Sequence, residues 1–366
     1  MKVITIKEKI LSAVVLAERI TGKKESLPIL SCILIDVGKE ISVRSTNLEA
    51  GIDIKVQGDV EEKGVVAVTA SVLSQTIKSI NSEKITLRTE GQNLIIEARG
   101  TKTLIKAVPH DEFPKLSKDS GGAKSFSIER ERLLGGIKAV SYAASVSMIR
   151  PELGSVYISI KKGGLVCVAT DSFRLAEKRV VCSVSSDGGE ILIPSKHAGE
   201  MMYILERLTD DNVTLSVSDS ELAVSSENLQ FLSRVVDGTF PNYQEIIPKQ
   251  FVTEATVLKN DFAEMLRKAR VFSGNDQNVG LHIYPKKKIF TATAQSSDVG
   301  EMSDSIDAAV SGEDIDINFH IGYLADCVAS IDSDSIVLGF GGPRKPLVIR
   351  GVSDSSFTYL AMPLNR

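Results

Sequence analysis

The chain has 366 residues, 43% of them hydrophobic and 25% charged, with a net charge of −4. That length allows two or three globular domains at roughly 100–200 residues each, every one able to bury a core. No run approaches the roughly 18–20 apolar residues of a membrane span, the start MKVITIKEKILSAVV is broken by Glu8 and does not read as a signal peptide, and the negative net charge does not advertise nucleic-acid binding.

Taken in chain order, the expected elements recur three times, from near residues 1, 123 and 250. Each part opens with an amphipathic helix: TIKEKILSAVVLAERI, SIERERLLGGIKAVSYAAS and LKNDFAEMLRKARVF. An apolar strand follows (LPILSCILIDV, RPELGSVYISI, VGLHIYP), then a strand, turn and strand (ISVRSTNLEAGIDIKV, LVCVATDSFRLAEKRVV, IFTATAQSSDVGEMSDSI). A second helix comes next (ASVLSQTIKSI, SKHAGEMMYILERL, HIGYLADCVASI), and short alternating strands close each part. The turns EFP and TFP, with Phe113 and Phe240 lying 127 positions apart, mark where one repeat gives way to the next. The reading is an α+β protein of three helix-on-antiparallel-sheet domains, at 1–119, 123–248 and 250–366.

Apolar residues recur at i, i+4, i+7 on all six helices: Ile10-Val14-Ala17, Leu73-Ile77-Ile80, Leu133-Ile137-Val140, Ala198-Met202-Leu205, Phe262-Leu266-Ala269 and Leu324-Val328-Ile331. At 100° per residue each set forms one buried stripe. Alternation in the strands, as in VTLSVSD, predicts sheets with one buried and one exposed face. The opposite helix faces carry Arg19; Gln75 and Lys78; Lys138 and Tyr142; Lys196, Tyr203 and Arg207; and Arg267. The sixth carries Gly322, Asp326 and Ala329 instead. Any one exposed helix is expected to be charged, but a Lys or Arg on five of six faces points to a basic surface on an acidic chain. Such a surface grips phosphates without reading bases.

Four scattered cysteines (Cys32, Cys167, Cys182, Cys327) without a CxxC pair read as small buried residues of a reducing cytoplasm, and four isolated histidines offer no metal-ligand spacing. No cofactor is expected. Thr170-Asp171-Ser172 combines hydroxyls with a carboxylate, but no histidine lies nearby in sequence, so Asp171 reads as a turn brace rather than a catalytic group. GFGGPRKP at 339–346 precedes a strand, not a helix, and lacks the context of a phosphate loop. A non-clamp repeat scaffold or binding protein is the alternative class.

In this order, on a threefold repeat, the segments LPIL (27–30), STNLEAG (45–51), RPELGSV (150–156), VATDSFRLAEKR (168–179), VVDGTFPNY (235–243) and YLAMPL (359–364) resemble the β subunit of bacterial DNA polymerase III, the sliding-clamp family. The resemblance covers essentially the whole chain. It implies a non-catalytic processivity factor: three similar domains forming a crescent, and two crescents closing head-to-tail into a ring around duplex DNA, with helices lining the hole. It implies a partner pocket between the second and third domains. Thr170, Ser172, Arg174 and Leu175 come from the ATDSFRL turn, with Leu153 before it, Pro241 and Ile246 from the Phe-Pro stretch, and Leu360, Met362, Pro363 and Leu364 from the tail. Short peptides of the polymerase III catalytic subunit, the clamp loader, other polymerases and repair proteins would dock there. DNA-facing positions would include Lys24, Arg150 and Lys196 beside Lys78, Lys138, Arg207 and Arg267. The homodimer interface would join the edge strand Thr101–Val108, with Lys102, Leu104 and Ile105, to Val271 and Phe272 of the partner chain, Lys102 facing Asp298, Glu301 and Asp304. The family usually has Gly-His where this chain has Ser172-Phe173, and a basic residue at Glu245.

Overall fold

The computed structural model describes residues 1–22, 27–116, 123–147, 149–184 and 186–364. The first repeat runs β1 (Lys2–Ile6), α1 (Lys7–Ile20), β2 (Cys32–Val37), β3 (Ile41–Thr46), β4 (Ala50–Val56), β5 (Asp59–Glu62), β6 (Gly64–Thr69), α2 (Ala70–Ser79), β7 (Lys84–Glu90), β8 (Asn93–Ala98), β9 (Thr101–Ile105) and β10 (Ala107–Val108). The second runs β11 (Lys124–Glu129), α3 (Arg130–Lys138), β12 (Ser155–Lys161), β13 (Gly164–Thr170), β14 (Arg174–Val181), β15 (Gly189–Pro194), α4 (Ser195–Leu205), β16 (Asn212–Val217), β17 (Glu221–Ser225) and β18 (Leu229–Arg234). The third runs β19 (Thr253–Leu258), α5 (Lys259–Phe272), β20 (Asn278–Tyr284), β21 (Ile289–Ser296), β22 (Gly300–Ser305), β23 (Ala308–Gly312), β24 (Ile315–His320), α6 (Ile321–Val328), β25 (Ser335–Phe340), β26 (Leu347–Gly351) and β27 (Phe357–Ala361).

Each repeat thus opens with a strand rather than a helix, and α1, α3 and α5 begin where β1, β11 and β19 end. The helix α3 is shorter than expected. It stops at Lys138, just after Gly135 and Gly136, and a 3-10 turn at Ser141–Ala143 follows. Each glycine costs a helix interior about 1 kcal/mol relative to alanine, which favours early termination.

Two compact units form, Met1–Arg130 with Gly199–Val235, and Glu131–Ala198 with Val236–Arg366. The first holds a five-stranded sheet, β5-β1-β7-β8-β9, and a nine-stranded sheet, β10-β6-β2-β3-β4-β18-β17-β16-β11. The second holds a nine-stranded sheet, β15-β12-β13-β14-β27-β26-β25-β19-β23, and a four-stranded sheet, β22-β21-β20-β24. Both nine-stranded sheets are composite and joined in the same way. In one, β4 runs antiparallel to β18 with Ile52 opposite Phe231. In the other, β14 runs antiparallel to β27 with Leu175 opposite Leu360.

The same tight turn recurs before β4 and β14. Thr46 Oγ1 donates to the Ala50 carbonyl at 2.8 Å, Asn47 Oδ1 accepts the Glu49 and Ala50 N–H groups, and Leu48 takes φ +73°. Thr170 Oγ1 donates to the Arg174 carbonyl at 2.6 Å, Asp171 Oδ1 accepts the Phe173 and Arg174 N–H groups, and Ser172 takes φ +77°. Asp171 is therefore a turn brace, as its sequence context suggested.

Stripe residues of α1, α2, α3 and α5 are buried as expected. On α4, Met202 is only half-buried, and Met201 with Ile204 turns inward instead. On α6, Val328 is half-buried and Cys327 takes the inward place. Spacings of three and four both return to one helix face, and the sequence pattern chose the wrong one of two adjacent apolar residues. The strand expectation also needs correction, because β27 is buried on both faces. Phe240, Ile247 and Phe251, in and after the second Phe-Pro turn, explain part of this by packing on the cluster that holds Leu360, and Phe113 of the first turn packs likewise on the cluster of Ile29, Leu30, Cys32, Leu34 and Ala67. All four cysteines are buried.

Candidate docking and nucleic-acid sites

The docking candidates gather in the second unit around the β14–β27 joint. Leu175 and Leu360 are buried partners in one apolar cluster with Val168, Tyr243 and Val348. The chain beyond β27 stays attached, since the Met362 N–H donates to the Phe173 carbonyl and the Leu364 N–H to the Asn318 carbonyl, both at 2.8 Å. Pro241 is half-buried and Ile246 exposed, on either side of the buried Tyr243. Leu153 is buried just before β12, and Pro363 is buried in the tail. Exposed apolar atoms at Phe173, Ile246 and Leu364 mark what the cluster offers to solvent.

Arg174 is the polar anchor of this region. Its Nε donates to Asp171 Oδ2 at 3.0 Å, Nη1 to Asp326 Oδ2 at 2.6 Å and Nη2 to the Tyr142 carbonyl at 2.6 Å. The guanidinium carbon also lies 4.5 Å from the Tyr323 ring centre. Burial works against its charge, but Tyr359, Asp326 and Asp171 more than offset that and raise its pKa. Nearby, Tyr243 Oη donates to the buried Glu177 at 2.6 Å, and burial together with that carboxylate pushes the phenol pKa up. Sequence reasoning missed Tyr243, Asp326 and Tyr323. Tyr243 lies between two residues it did name, but nothing local ties Asp326 to a turn 152 positions away.

Of the cations singled out, Lys78, Lys138, Lys196 and Arg267 have exposed side chains on their helices. Arg150 is exposed and donates to Glu152 at 2.9 Å. Arg207 is exposed, with its guanidinium carbon over Tyr203 at 3.3 Å from the ring centre. Lys24 falls outside the described residues. Arg19 is exposed on its helix face as expected, and it donates to Glu200 at 2.5 Å and lies over the Tyr203 ring. One helix-face expectation is corrected. Tyr142 is half-buried rather than presented on an open helix face, because α3 has already ended and the residue stands in the 3-10 turn that follows.

Strands β9 and β22 each lie at the end of a sheet. On β9, Leu104 is exposed, but Ile105 points into its own unit at 5% exposure, as the alternation of a strand requires. Lys102 reaches Glu90 at 3.6 Å. Val271 is exposed and Phe272 half-buried at the end of α5. Asp298 and Glu301 are exposed, whereas Asp304 already accepts from Lys268 at 3.1 Å.

Taken together, the hydroxyl and carboxylate of the turn are used by the turn itself, and what faces outward is apolar surface rimmed by backbone and charge. The fold is thus a threefold helix-and-sheet repeat with an apolar cluster at the β14–β27 joint. Family models agree on a more specific class. The N-terminal, central and C-terminal domains of the DNA polymerase III beta subunit match residues 1–117, 127–242 and 244–365. The beta sliding clamp of Bacillus subtilis is 26% identical with 100% of this chain and 99% of that protein covered, and that of Streptococcus pneumoniae is 26% identical over 98% and 97%. The crystal structure of the DNA polymerase III beta subunit of Thermotoga maritima superposes with a TM-score of 0.93 at 25% identity, covering 100% of this chain and 99% of that one. The chain belongs to the DNA polymerase III beta subunit family, the bacterial sliding clamps, and is a non-catalytic processivity factor of DNA replication.

Proposed function

We propose that two copies of this chain close head-to-tail into a ring that encircles duplex DNA without reading its sequence and tethers replication and repair proteins in the cytoplasm. The observation that carries this reading is the pattern of strand joints. The strand after the first turn, β4, meets the closing strand β18 of the second repeat, and the strand after the second turn, β14, meets the closing strand β27 of the third. Two strands of these same kinds, β22 and β9, end their sheets. Unpaired edge strands invite another chain. Repeating the joint between copies places β22 of one against β9 of the other, and a head-to-tail contact that closes makes a ring. Three clamp domains at 1–119, 123–248 and 250–366 fit this scheme, each contributing to a joint on either side.

Exposed Leu104, Val271 and Val299 supply apolar surface at the two edges, and Lys102 has Asp298 and Glu301 as candidate partners. Lys78, Lys138, Arg150, Lys196, Arg207 and Arg267 would contact phosphates, and Lys24 is kept with them on sequence grounds. Short Leu- or Phe-bearing peptides of the polymerase III catalytic subunit, the clamp loader, other polymerases and repair proteins would anchor on the Leu175–Leu360 cluster, with Thr170, Ser172, Arg174 and Leu153 on one side and Pro241, Ile246, Met362, Pro363 and Leu364 on the other. Analytical ultracentrifugation tests the closure. Twice the chain mass at micromolar concentration is expected, and a monomer or an open polymer would contradict it.

A further inference from the structure

The two composite joints differ in one respect that sequence repetition alone would not predict. Counted from the start of each helix, Glu200 on α4 and Asp326 on α6 are both sixth, and Tyr203 and Ala329 stand three residues further on. Likewise Arg19 and Tyr142 are both thirteenth from the starts of α1 and α3. In the first unit the spot is filled, because Arg19 pairs with Glu200 and lies 3.9 Å over the Tyr203 ring, whose other neighbour is Arg207. In the second unit Ala329 replaces the ring, Gly135 of α3 and Ala139 just beyond it present little side chain, and a cavity of about 710 Å³ remains.

That volume lies within the roughly 300–1,000 Å³ range of small-molecule sites. Its wall carries four cations, Arg132, Lys138, Lys178 and Arg179, and one carboxylate, Asp326. Asp326 is held by Arg174, while Lys178 and Arg179 also reach Asp354 and Glu177. Part of the lining is apolar, made by Gly135, Gly136, Ala139 and Ala329 with Val180 and Val181. Tyr142 Oη is buried there with no well-formed hydrogen bond among the described residues, Ser330 being the polar side chain within its reach. Burial pushes the phenol pKa up, so it stays protonated and can donate.

We propose that this cavity is a nucleotide site, with phosphate oxygens on the Arg132–Lys138 side and the base laid on the apolar lining of Gly135, Ala139 and Ala329. A base needs an apolar support, and a phosphate needs several cationic donors. The lining of the cavity offers both. Either a free nucleotide or one nucleotide of a DNA strand has this chemistry. The site is distinct from the peptide-docking cluster, because of the described residues that line it none belongs to the cluster of Val168, Leu175, Tyr243, Val348 and Leu360.

The test titrates the full chain with dATP, with inorganic phosphate and with deoxyadenosine, followed by calorimetry and saturation-transfer NMR. Two variants fill the cavity. Ala329→Tyr restores the ring found at the equivalent place in the first unit. Gly135→Phe projects into open space, since a side chain there meets nothing within 4 Å of its first carbon. Wild-type protein should bind dATP saturably and more tightly than phosphate or nucleoside alone, and both folded variants should weaken it by at least about tenfold. No saturable dATP binding, unchanged affinity in both folded variants, or an equal response to phosphate alone would overturn the assignment. So would saturable binding of an Asp/Glu-rich peptide in place of dATP. Displacement of dATP by a single-stranded oligonucleotide would support the site with a DNA strand as the source, and bound dATP that resists displacement would support it with the free nucleotide.

Discussion

Leu175 and Leu360 stand opposite one another in the β14–β27 ladder, and both side chains are buried in one apolar cluster with Tyr243. The strand that carries Leu360 leads directly into Met362 and Leu364, whose N–H groups are tied to Phe173 and Asn318. Deleting residues 362–366 therefore removes one side of the docking surface while leaving the ladder in place. A fluorescent peptide carrying Gln-Leu-Ser-Leu-Phe should bind the truncated protein at least about tenfold more weakly, a loss of roughly 1.4 kcal/mol. Unchanged affinity in a truncation of native mass would place partner docking elsewhere.

Ser172 holds φ at +77°, a backbone region that costs a residue with a Cβ roughly 1–2 kcal/mol. Glycine adopts it freely but loses more conformational entropy on folding. The net expectation for Ser172→Gly is a gain of about 0.5 kcal/mol, read as a higher urea midpoint with an unchanged slope. A lowered midpoint would mean that Ser172 makes compensating contacts worth more than the strain.

At the β9 edge, adjacent residues should separate assembly from folding. Leu104 is exposed and Ile105 is buried. Leu104→Asp should weaken the dimer about a hundredfold, roughly 2.7 kcal/mol, without lowering monomer stability much. Ile105→Asp should instead destabilise the first unit by about 3 kcal/mol or more, because it buries a charge. Sedimentation and thermal melts distinguish the two. An Ile105→Asp protein that melts like wild type would show that its side chain is not inside.

Asp354 accepts from the Ser356 N–H at 2.9 Å, from the Ser356 hydroxyl and from Lys178 at 3.1 Å. Burial pushes its carboxyl up, but those donors more than offset this and hold it below the ordinary value. A depressed carboxyl contributes stability that is full above the unfolded value of about 3.9 and is lost as pH falls through the folded one. Asp354→Asn should cost about 1–2 kcal/mol at pH 7. The gap between wild type and variant should close on acidification below about pH 4. A gap that stays constant down to pH 2 would remove the charge from the explanation.

Much of the fold was legible because the repeat writes the same periods three times. The stripe Ile10, Val14 and Ala17 and the turn at Asp171 could be read locally. The opening strands were not, since TI of β1 runs straight into KEKIL of α1 without a side-chain cap to mark the border. Nor was Asp326, whose partner Arg174 comes from another repeat. At the docking site, Leu175 and the tail could be named from motif resemblance, while Tyr243 and Tyr323 required tertiary packing to be seen. Ile105 was misplaced because a strand's facing cannot be fixed until its neighbour in the sheet is known.

Encirclement is tested most directly by loading the protein with a clamp loader onto a closed DNA circle, then cutting the circle once. A ring held by topology, with phosphate contacts from residues such as Lys138, Lys196 and Arg267 that read no bases, should stay on the closed circle and run off the cut one whatever its sequence. Ala substitution of those three should lower the salt dependence of residual DNA affinity, since fewer counterions are released on binding. Equal retention on cut and closed circles would contradict the account.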